Sequence, residues 1–314
     1  MKIVFSKKYT VKDCGHVFRS DKFEETLKTL IKEGAVSWRD VVEPARPSRK
    51  DLELAHTRRW VGKNLRFKFT PEDCTKAEIK ITPSVVSAHL MNVGGTMKAA
   101  ELALESGLGL NCGGGAHHAF ADHGSGFCLL NDIAVAVKKL LKAKKIRRAV
   151  IIDLDAHQGN GTAAIFKKDK NVFTFSMHDR EIYPEKKEKS SLDIELRPGT
   201  GDGRYLALLR RNLAAALKAA KADLAVYVAG ADVYRNDLLG GLKLTMAGIK
   251  KRDAFVFSEC FKRKLPVAVV LSGGYAKKFK DTVRIHANTI KTANSEWRIA
   301  AEKNRQSDTF KSLP

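Results

Sequence analysis

Asp153, Asp155 and His157 directly follow an apolar run, residues 149–152, whose composition predicts a buried strand. Because strand side chains alternate between the two faces, these three residues leave the strand on the same side. Burying two carboxylates and an imidazole there is costly unless a cation or a network of hydrogen bonds compensates them. Their types and spacing therefore predict a divalent-metal site at the end of this strand.

Three more polar clusters each follow another predicted strand, at residues 115–118 (GAHH), 230–232 (GAD) and 272–275 (SGGY). In an open parallel sheet, ligands bind at the carboxyl ends of the strands, so we expect all four clusters to line one crevice. The ligands that these clusters offer a metal are Asp155, His157 and Asp232. Three nitrogen and oxygen ligands with one vacant position are typical of a catalytic zinc site.

Two adjacent histidines, His117 and His118, lie in a glycine-rich loop that can direct both rings into the same crevice. Each ring needs a partner that selects its tautomer, and Asp153 and Asn160 are the residues available for that task. Two imidazoles beside a metal are suited to proton transfer. Tyr275, which follows two glycines, can donate a hydrogen bond to a developing oxyanion.

The composition is that of a globular protein without membrane spans. The 314 residues are 44% hydrophobic and 8% aromatic, and no run of 18 apolar residues occurs. The N-terminus has no apolar segment typical of a signal peptide, so we expect a cytoplasmic protein. The cysteines, none in a CxxC pair, are Cys14, Cys74, Cys112, Cys128 and Cys260. Their odd number and scattered positions indicate reduced thiols rather than disulfides or a cysteine zinc site.

The net charge of +22 is large, with basic clusters at residues 138–148 and 262–264. Such a charge favours acidic partners, including nucleic acid and anionic membrane surfaces. No basic run carries interleaved aromatic residues or a known nucleic-acid motif, so a lysine-rich solvated surface is the preferred interpretation.

Strands and helices alternate along the chain, which predicts a single α/β domain with a parallel sheet covered by helices on both faces. The predicted strands are 3–5, 108–112, 149–155, 172–176, 224–229 and 267–271. The predicted helices are 21–33, 88–106, one from Asn131 onward, 162–167, 203–221 and 246–264. We assign residues 1–290 to the catalytic domain and 291–314 to a terminal helix and frayed tail.

Six ordered motifs within residues 50–290 resemble the histone deacetylase superfamily of zinc-dependent amidohydrolases. They are GGGAHH (113–118), GFCLLND (126–132), DLDAHQGNG (153–161), GAD (230–232), DLLGGLKLT (237–245) and SGGY (272–275). Gln158 and Asn160, with HTRRW (56–60) and IYPE (182–185), look most like the class IV branch of that superfamily. The resemblance implies an arginase-like α/β domain whose parallel sheet has eight strands.

The resemblance also implies a role for each matching residue. One catalytic zinc ion is expected on Asp155, His157 and Asp232. The general acid/base falls on His118, its electrostatic partner on His117 and the oxyanion donor on Tyr275. Phe127, beside Gly126, matches one wall of an acyl-lysine tunnel, and Tyr183 matches the other wall. Asp153 matches the acid that orients His117, and with Ser176 it matches the side-chain ligands of a structural potassium ion.

At two positions the chain departs from many members of the superfamily. Asn160 replaces an aspartate behind the second histidine, and an amide stabilises imidazolium less than a carboxylate does. We therefore expect a lowered pKa for His118, which favours its role as a base. Residues 81–100 contain no acid, whereas many relatives use an aspartate there to hold the substrate backbone.

The implied function is zinc-dependent hydrolysis of the amide of acyl-lysine, with acetyl or longer fatty acyl groups, in proteins. One alternative is an amidohydrolase of the same superfamily that acts on acetylpolyamines or other small molecules. A second is the two-manganese arginase branch, which needs further ligands. A third is a basic binding module without catalytic activity, which the intact ligand set and Tyr275 disfavour.

Overall fold

The chain folds around one parallel sheet of eight strands, as a computed structural model shows for residues 1–11 and 17–311, with side chains described as far as residue 303. The strands are β1 (Ile3–Val4), β2 (Val41–Val42), β3 (Leu108–Asn111), β4 (Ala149–Asp153), β5 (Val172–Asp179), β6 (Leu192–Leu196), β7 (Leu224–Val228) and β8 (Val267–Val270). Their order is β2-β1-β3-β8-β7-β4-β5-β6, and every pairing is parallel. The predicted fold class is confirmed.

Ten helices of the described residues cover the sheet. They are α1 (Asp21–Lys32), α2 (Arg49–Leu52), α3 (Arg58–Arg66), α4 (Pro71–Ala77), α5 (Pro83–Ser106), α6 (Asp132–Lys142), α7 (Asn160–Phe166), α8 (Asp202–Ala220), α9 (Met246–Lys262) and α10 (Phe279–Lys311). Helices α1, α8, α9 and α10 contribute to the apolar core on one face of the sheet, and α2 to α7 to the core on the other. Two helical layers therefore enclose the sheet.

The central strand β4 is buried on both faces. Val150 and Ile152 belong to the core under α8 and α9, whereas Ile151 belongs to the opposite core, as the alternation of strand side chains requires. Its neighbours are β5 and β7, which pair with it in register over its whole length. Asp153, the last residue of β4, lies beside Ser176 of β5 and Val228 of β7. The polar segment after β4 is thus surrounded by the ends of other strands.

Several elements differ from the sequence-based prediction. Strands β2 and β6 and helices α2, α3 and α4 were not predicted, because β2 has only two residues and β6 is a partly exposed edge strand. Helix α5 begins at Pro83, five residues before the predicted start, since Thr82 caps it with a hydrogen bond from the amide of Val85. Helix α10 begins at Phe279 and crosses residue 290, where we placed the end of the catalytic domain.

No helix in the described ranges is long and apolar enough to cross a membrane. Cys74, Cys112, Cys128 and Cys260 are free thiols, and the last three of them are buried. Cys14 lies outside the described residues. The described cysteines thus agree with the expectation of reduced thiols.

Candidate active site

Asp155, His157 and Asp232 meet at one buried point, beyond the carboxyl ends of β4 and β7. Nδ1 of His157 lies 3.1 Å from Oδ1 of Asp155 and 3.1 Å from Oδ2 of Asp232. One potential ligand atom from each residue lies within 4.8 Å of the other two. The predicted metal ligands therefore come together, although they are up to 77 positions apart along the chain.

The backbone fixes the remaining carboxylate oxygens of this cluster. The amide of Gly273 donates to Oδ2 of Asp155 over 2.9 Å, and the amide of Ala156 donates to Oδ1 of Asp232 over 2.8 Å. These two hydrogen bonds leave one oxygen of each aspartate directed toward His157. The two carboxylates are thus oriented by groups that cannot move without moving the strand ends.

Without a cation, the charges of this cluster are poorly compensated. Burial and the nearby charge of Asp155 raise the pKa of Asp232 to about 7. Burial opposes protonation of His157, yet the two carboxylates raise its pKa well above the usual value. A divalent cation would neutralise both carboxylates and accept the Nδ1 lone pair, so the donor set fits a metal with three protein ligands and an open position.

Asp153 is the hydrogen-bond partner of His117. Nδ1 of His117 lies 2.7 Å from Oδ2 of Asp153, and its Nε2 is 3.9 Å from Oδ1 of Asp155. Burial lowers the pKa of His117, but Asp153 and Asp155 outweigh it and raise that pKa to about 9. The two carboxylates therefore favour the protonated form of His117.

His118 differs from its neighbour because its partner is neutral. Its Nδ1 lies 2.7 Å from Oδ1 of Asn160, an acceptor, so the ring donates through Nδ1 and leaves Nε2 as the basic atom. Burial and the charges of His117 and His157 lower the pKa of His118 well below the usual value. The two rings lie only 4.1 Å apart, centroid to centroid, yet they differ in protonation.

The loop that carries Tyr275 is held from two sides. The backbone amide of Tyr275 donates to Oδ2 of Asp237 over 2.6 Å, and Nζ of the buried Lys22 donates to the carbonyl of Ser272 over 2.8 Å. Burial and the charges of Asp232 and Asp155 raise the pKa of Tyr275, so its hydroxyl keeps its proton. Its ring centroid is 6.5 Å from that of His157.

A largely apolar pocket with a cavity volume of about 200 Å³, open to solvent at its mouth, leads to these residues. Its aromatic lining residues are Phe18, Phe23, Phe127, Tyr183 and Tyr275. Gly126 lies between His118 and Tyr183, and a Cβ there would approach these rings to 2.6 and 2.8 Å. Only glycine fits at this position while both rings keep their places. The pocket thus contains the predicted tunnel residues together with Phe18 and Phe23, which were not predicted to line it.

The two residues predicted as potassium ligands lie side by side. Asp153 and Ser176 are register partners on β4 and β5, and both are buried. Oγ of Ser176 also lies 2.8 Å from Nδ1 of His178. Burial raises the pKa of Asp153, while the charge of His117 lowers it. A buried carboxylate and a hydroxyl next to each other are compatible with a monovalent cation.

Arg252 is a buried cation that joins both ligand-bearing loops and that the sequence-based prediction missed. Its Nη1 donates to the carbonyl of Leu154 over 3.0 Å and to that of Gly230 over 2.7 Å. Its Nε donates to Asp253 over 2.8 Å, and Asp253 also accepts from the hydroxyl of Tyr227. Leu154 precedes one predicted metal ligand, Asp155, and Gly230 lies two residues before another, Asp232, so Arg252 positions both strand ends.

Asp132 holds the backbone of the loop that carries His117 and His118. Its carboxylate accepts hydrogen bonds from the amides of Gly115 and Ala116, over 2.9 and 2.7 Å, and from the hydroxyl of Thr96. Asp132 and Arg252 were identifiable in principle, because each is a charged residue at helical spacing within an apolar face. In α9 that face contains Ile249, Val256 and Cys260 beside Arg252 and Asp253.

Most of the chain matches a single family of known proteins. A sequence description of the histone deacetylase domain matches residues 16–290. An uncharacterized protein of Picosynechococcus sp. is 41% identical over 272 residues, covering 87% of this chain and 91% of that protein. Histone deacetylase 2 of Arabidopsis thaliana is 33% identical over 311 residues, covering 95% of this chain and 79% of that enzyme.

The fold also matches a solved structure. The crystal structure of the HDA15 HD domain superposes with a TM-score of 0.76, at 21% sequence identity, over 94% of this chain and 88% of that one. At this level of identity the match concerns the fold alone. It agrees with the eight-stranded parallel sheet and its two helical layers.

We predict that Arg252→Lys lowers the affinity for a divalent metal about 10-fold or more, because lysine keeps the charge beside Asp253 but cannot hold both carbonyls. A competition titration with a chelating dye measures this dissociation constant. Arg263→Lys, at the exposed C-terminal end of α9, is the matched control and should leave the affinity unchanged. If Arg252→Lys lowers only the melting temperature of the metal-free protein, the positioning role is wrong.

Proposed function

The chain belongs to the histone deacetylase family, and within it we propose a zinc-dependent deacylase that hydrolyses the ε-amide of acyl-lysine in proteins. The observation that carries this proposal is that Asp155, His157, His118 and Tyr275 line one apolar pocket, with the buried Asp232 beside the first two. Amide hydrolysis needs an activated water, an oxyanion stabiliser and a proton for the leaving amine. The site contains a group suited to each of these tasks.

In this proposal, His157, Asp155 and Asp232 would hold the zinc ion. When bound, zinc supplies Lewis-acid polarisation of the substrate carbonyl and of water. Asp153 and Ser176, adjacent on β4 and β5, hold a structural potassium ion in the same proposal. Arg252 keeps the two ligand-bearing loops in register with each other.

His118 is the general base that takes a proton from the attacking water. Three features support this role: its ring is neutral, Asn160 directs the Nδ1 proton away from the pocket, and Nε2 is left free. A base that is already unprotonated at neutral pH is ready for proton transfer. His118 also lines the pocket, where a substrate carbonyl would lie.

His117 and Tyr275 act on the charges that develop during the reaction. The imidazolium of His117, held by Asp153, stabilises negative charge near the reacting carbon. The protonated hydroxyl of Tyr275 donates to the oxyanion. A histidine that has become protonated then delivers its proton to the leaving lysine amine. These roles need no movement of the backbone, because the loops are already held by Lys22, Asp132 and Asp237.

The pocket accommodates a linear acylated side chain. Phe127 and Tyr183 form its aromatic walls, with Gly126 leaving room between the catalytic rings. The lining continues to Phe23 and Asn92, which lie outside the proposed ligand and catalytic set. We propose that acetyl and longer fatty acyl groups enter this space, with the apolar walls favouring the acyl chain.

We also propose that the chain belongs to the class IV branch. The support comes from Asn160 behind His118, Gln158 beside it, and the segments 56–60 and 182–185. Two of these features have clear structural positions. Gln158 binds Glu188 and Asp193 through its amide, and His56 accepts a hydrogen bond from the amide of Asn131.

An acetylpolyamine amidohydrolase is the second candidate function, and the position of one acidic residue, Glu78, favours it. Glu78 follows helix α4, lines the pocket and lies exposed at its mouth, where it accepts a hydrogen bond from the amide of Gly126. It lies just before residues 81–100, the segment in which no acid occurs. A carboxylate at this place can bind the ammonium group of a polyamine as well as the backbone of a peptide.

We predict that Asp155→Ala abolishes deacylation and lowers the zinc content per chain, whereas Tyr275→Phe lowers turnover about 100-fold without loss of zinc. The measurements are kcat on an acyl-lysine peptide and the metal content by mass spectrometry. Asp169→Ala, at a surface loop remote from the pocket, should retain both. If the Asp155→Ala variant retains full turnover after treatment with a chelator, metal-dependent hydrolysis is excluded.

We predict that Asn160→Asp moves the acidic limb of the pH profile of kcat/KM to higher pH. A carboxylate stabilises the protonated form of His118 and raises its pKa, so the base becomes available only at higher pH. Asn160→Ala is the uncharged control, which should lower kcat without this upward displacement. An acidic limb that stays in place in Asn160→Asp would mean that His118 is not the base.

We predict that acyl-lysine peptides, from acetyl to myristoyl, have higher kcat/KM than acetylated polyamines. Glu78→Gln should lower kcat/KM for the polyamines about 3- to 5-fold, because an ion pair at the exposed mouth of the pocket is lost, and should affect the peptides less. Glu105→Gln, an exposed acid of α5, is the control. If acetylpolyamines are the better substrates and Glu78→Gln removes that preference, the small-molecule candidate replaces the protein deacylase.

A further inference from the structure

The amino ends of four neighbouring strands form an edge of the sheet opposite the active site. Strands β5, β4, β7 and β8 are adjacent and parallel, so the loops that precede them lie together. Hydrogen bonds join these loops directly: the amide of Ala149 donates to Asn171, and that of Asp223 donates to Arg148. The active-site residues follow the carboxyl ends of β4, β7 and β8, at the other end of the same strands.

This edge is densely basic. We call it the basic face and define it by the exposed lysines and arginines of the four loops and the adjoining helix ends. They are Lys142, Lys144, Lys145, Arg147, Arg148, Lys167, Lys168, Lys170, Lys218, Lys221, Lys262, Arg263 and Lys264. The basic runs that stand out in the sequence, at 138–148 and 262–264, are thus parts of one surface, because the sheet brings them to the same edge.

Three acids, Asp169, Asp223 and Glu259, lie in the same loops and helix ends as the thirteen cations. Lys167 pairs with Glu188, and Glu259 pairs with Lys262 and Arg263. The carboxylate of Asp223 accepts hydrogen bonds from the backbone amides of residues 147 and 148. Among the described residues, the members of the basic face that form no ion pair are Lys142, Lys144, Lys145, Arg147, Arg148, Lys168, Lys170, Lys218, Lys221 and Lys264.

We propose that the basic face binds double-stranded DNA through its phosphate backbone. Four adjacent strands, about 4.8 Å apart, spread the cations over about 15 Å, a width that matches several successive phosphates of a duplex. Flexible lysine and arginine side chains contact phosphates wherever these lie. Such contacts do not distinguish one base sequence from another. The net charge of +22 adds a long-range attraction for the same polyanion.

The chemistry of the loops selects a duplex over other anionic partners. Single-stranded nucleic acid is bound by stacking bases on aromatic side chains, and the aromatic residues next to these loops, Phe166 and Phe261, are buried. Stable binding to an anionic membrane combines electrostatic attraction with the insertion of apolar side chains, and the exposed large apolar residues of the described chain lie elsewhere. The loops therefore offer positive charge alone, which suits the regularly spaced phosphates of a duplex.

The position of the basic face leaves the pocket free. The face and the pocket lie at opposite ends of the strands, so a bound duplex does not cover the mouth of the pocket. DNA would hold the protein near acylated DNA-associated proteins while the pocket still receives a lysine side chain. Binding of DNA and catalysis are therefore independent in their residues, and loss of one leaves the other intact.

The test is fluorescence anisotropy with a 30-bp duplex, the matching single strand, and vesicles of anionic phospholipid, over a series of salt concentrations. The protein should bind the duplex more tightly than the single strand or the vesicles, with an affinity that falls steeply with salt. The variant Lys142→Gln, Lys145→Gln, Lys168→Gln and Lys218→Gln should weaken duplex binding at least 10-fold and flatten the salt dependence. Its deacylase activity should be unchanged, which shows that it folds.

The matched control removes four exposed cations outside the basic face, in the variant Lys7→Gln, Lys32→Gln, Arg46→Gln and Lys50→Gln. Both variants lose the same net charge, so only the position of the charge differs. The control should weaken duplex binding less than 3-fold. If both variants lose the same affinity for the duplex, the total charge attracts DNA and the basic face is not a specific binding site. Tighter binding of the single strand or of the vesicles would also overturn the proposal.

Discussion

The whole arrangement depends on the burial of two carboxylates, Asp155 and Asp232, around one imidazole. Burial raises the pKa of Asp232, and the nearby negative charge of Asp155 raises it further, because like charges this close in a buried place repel each other. The fold holds them there because their second oxygens accept hydrogen bonds from backbone amides at the ends of the strands. A cation would relieve this repulsion, so the constraint that holds the two carboxylates together also makes the cluster suited to a metal.

Holding such a cluster requires that its loops cannot relax, and buried charged side chains supply that rigidity. Arg252 binds the carbonyls of both ligand loops, Lys22 binds that of the tyrosine loop, and Asp132 binds the amides of the histidine loop. Each acts on backbone groups, and the ammonium of Lys22 also lies 5.1 Å from the centroid of the Tyr275 ring. Loops with fixed backbones place their side chains with little reorganisation during a reaction.

Adjacent histidines acquire different properties from their partners. His117 faces the carboxylate of Asp153, which raises its pKa, whereas His118 faces the amide of Asn160, and burial together with the charges of His117 and His157 lowers its pKa. The proximity of the first charge lowers the pKa of the second ring further. The two imidazoles thus have pKa values shifted in opposite directions, and their hydrogen-bond partners differ in charge: Asp153 for His117 and Asn160 for His118.

The amino-acid sequence by itself determined the α/β class, most central strands and the residue types that gather at the strand ends. Apolar runs such as β4 are readable because both faces of a buried parallel strand must be apolar, and polar residues that directly follow them stand out. Short or edge elements, β2 and β6 among them, lack such a pattern, since two residues or a half-exposed strand produce no clear period. Only the tertiary structure decided that Arg252 joins the loops of Leu154 and Gly230, that Glu78 lies at the pocket mouth, and that separate basic runs form one face. These relations join residues distant along the chain, and the order of the strands, which no local pattern encodes, is what brings them together.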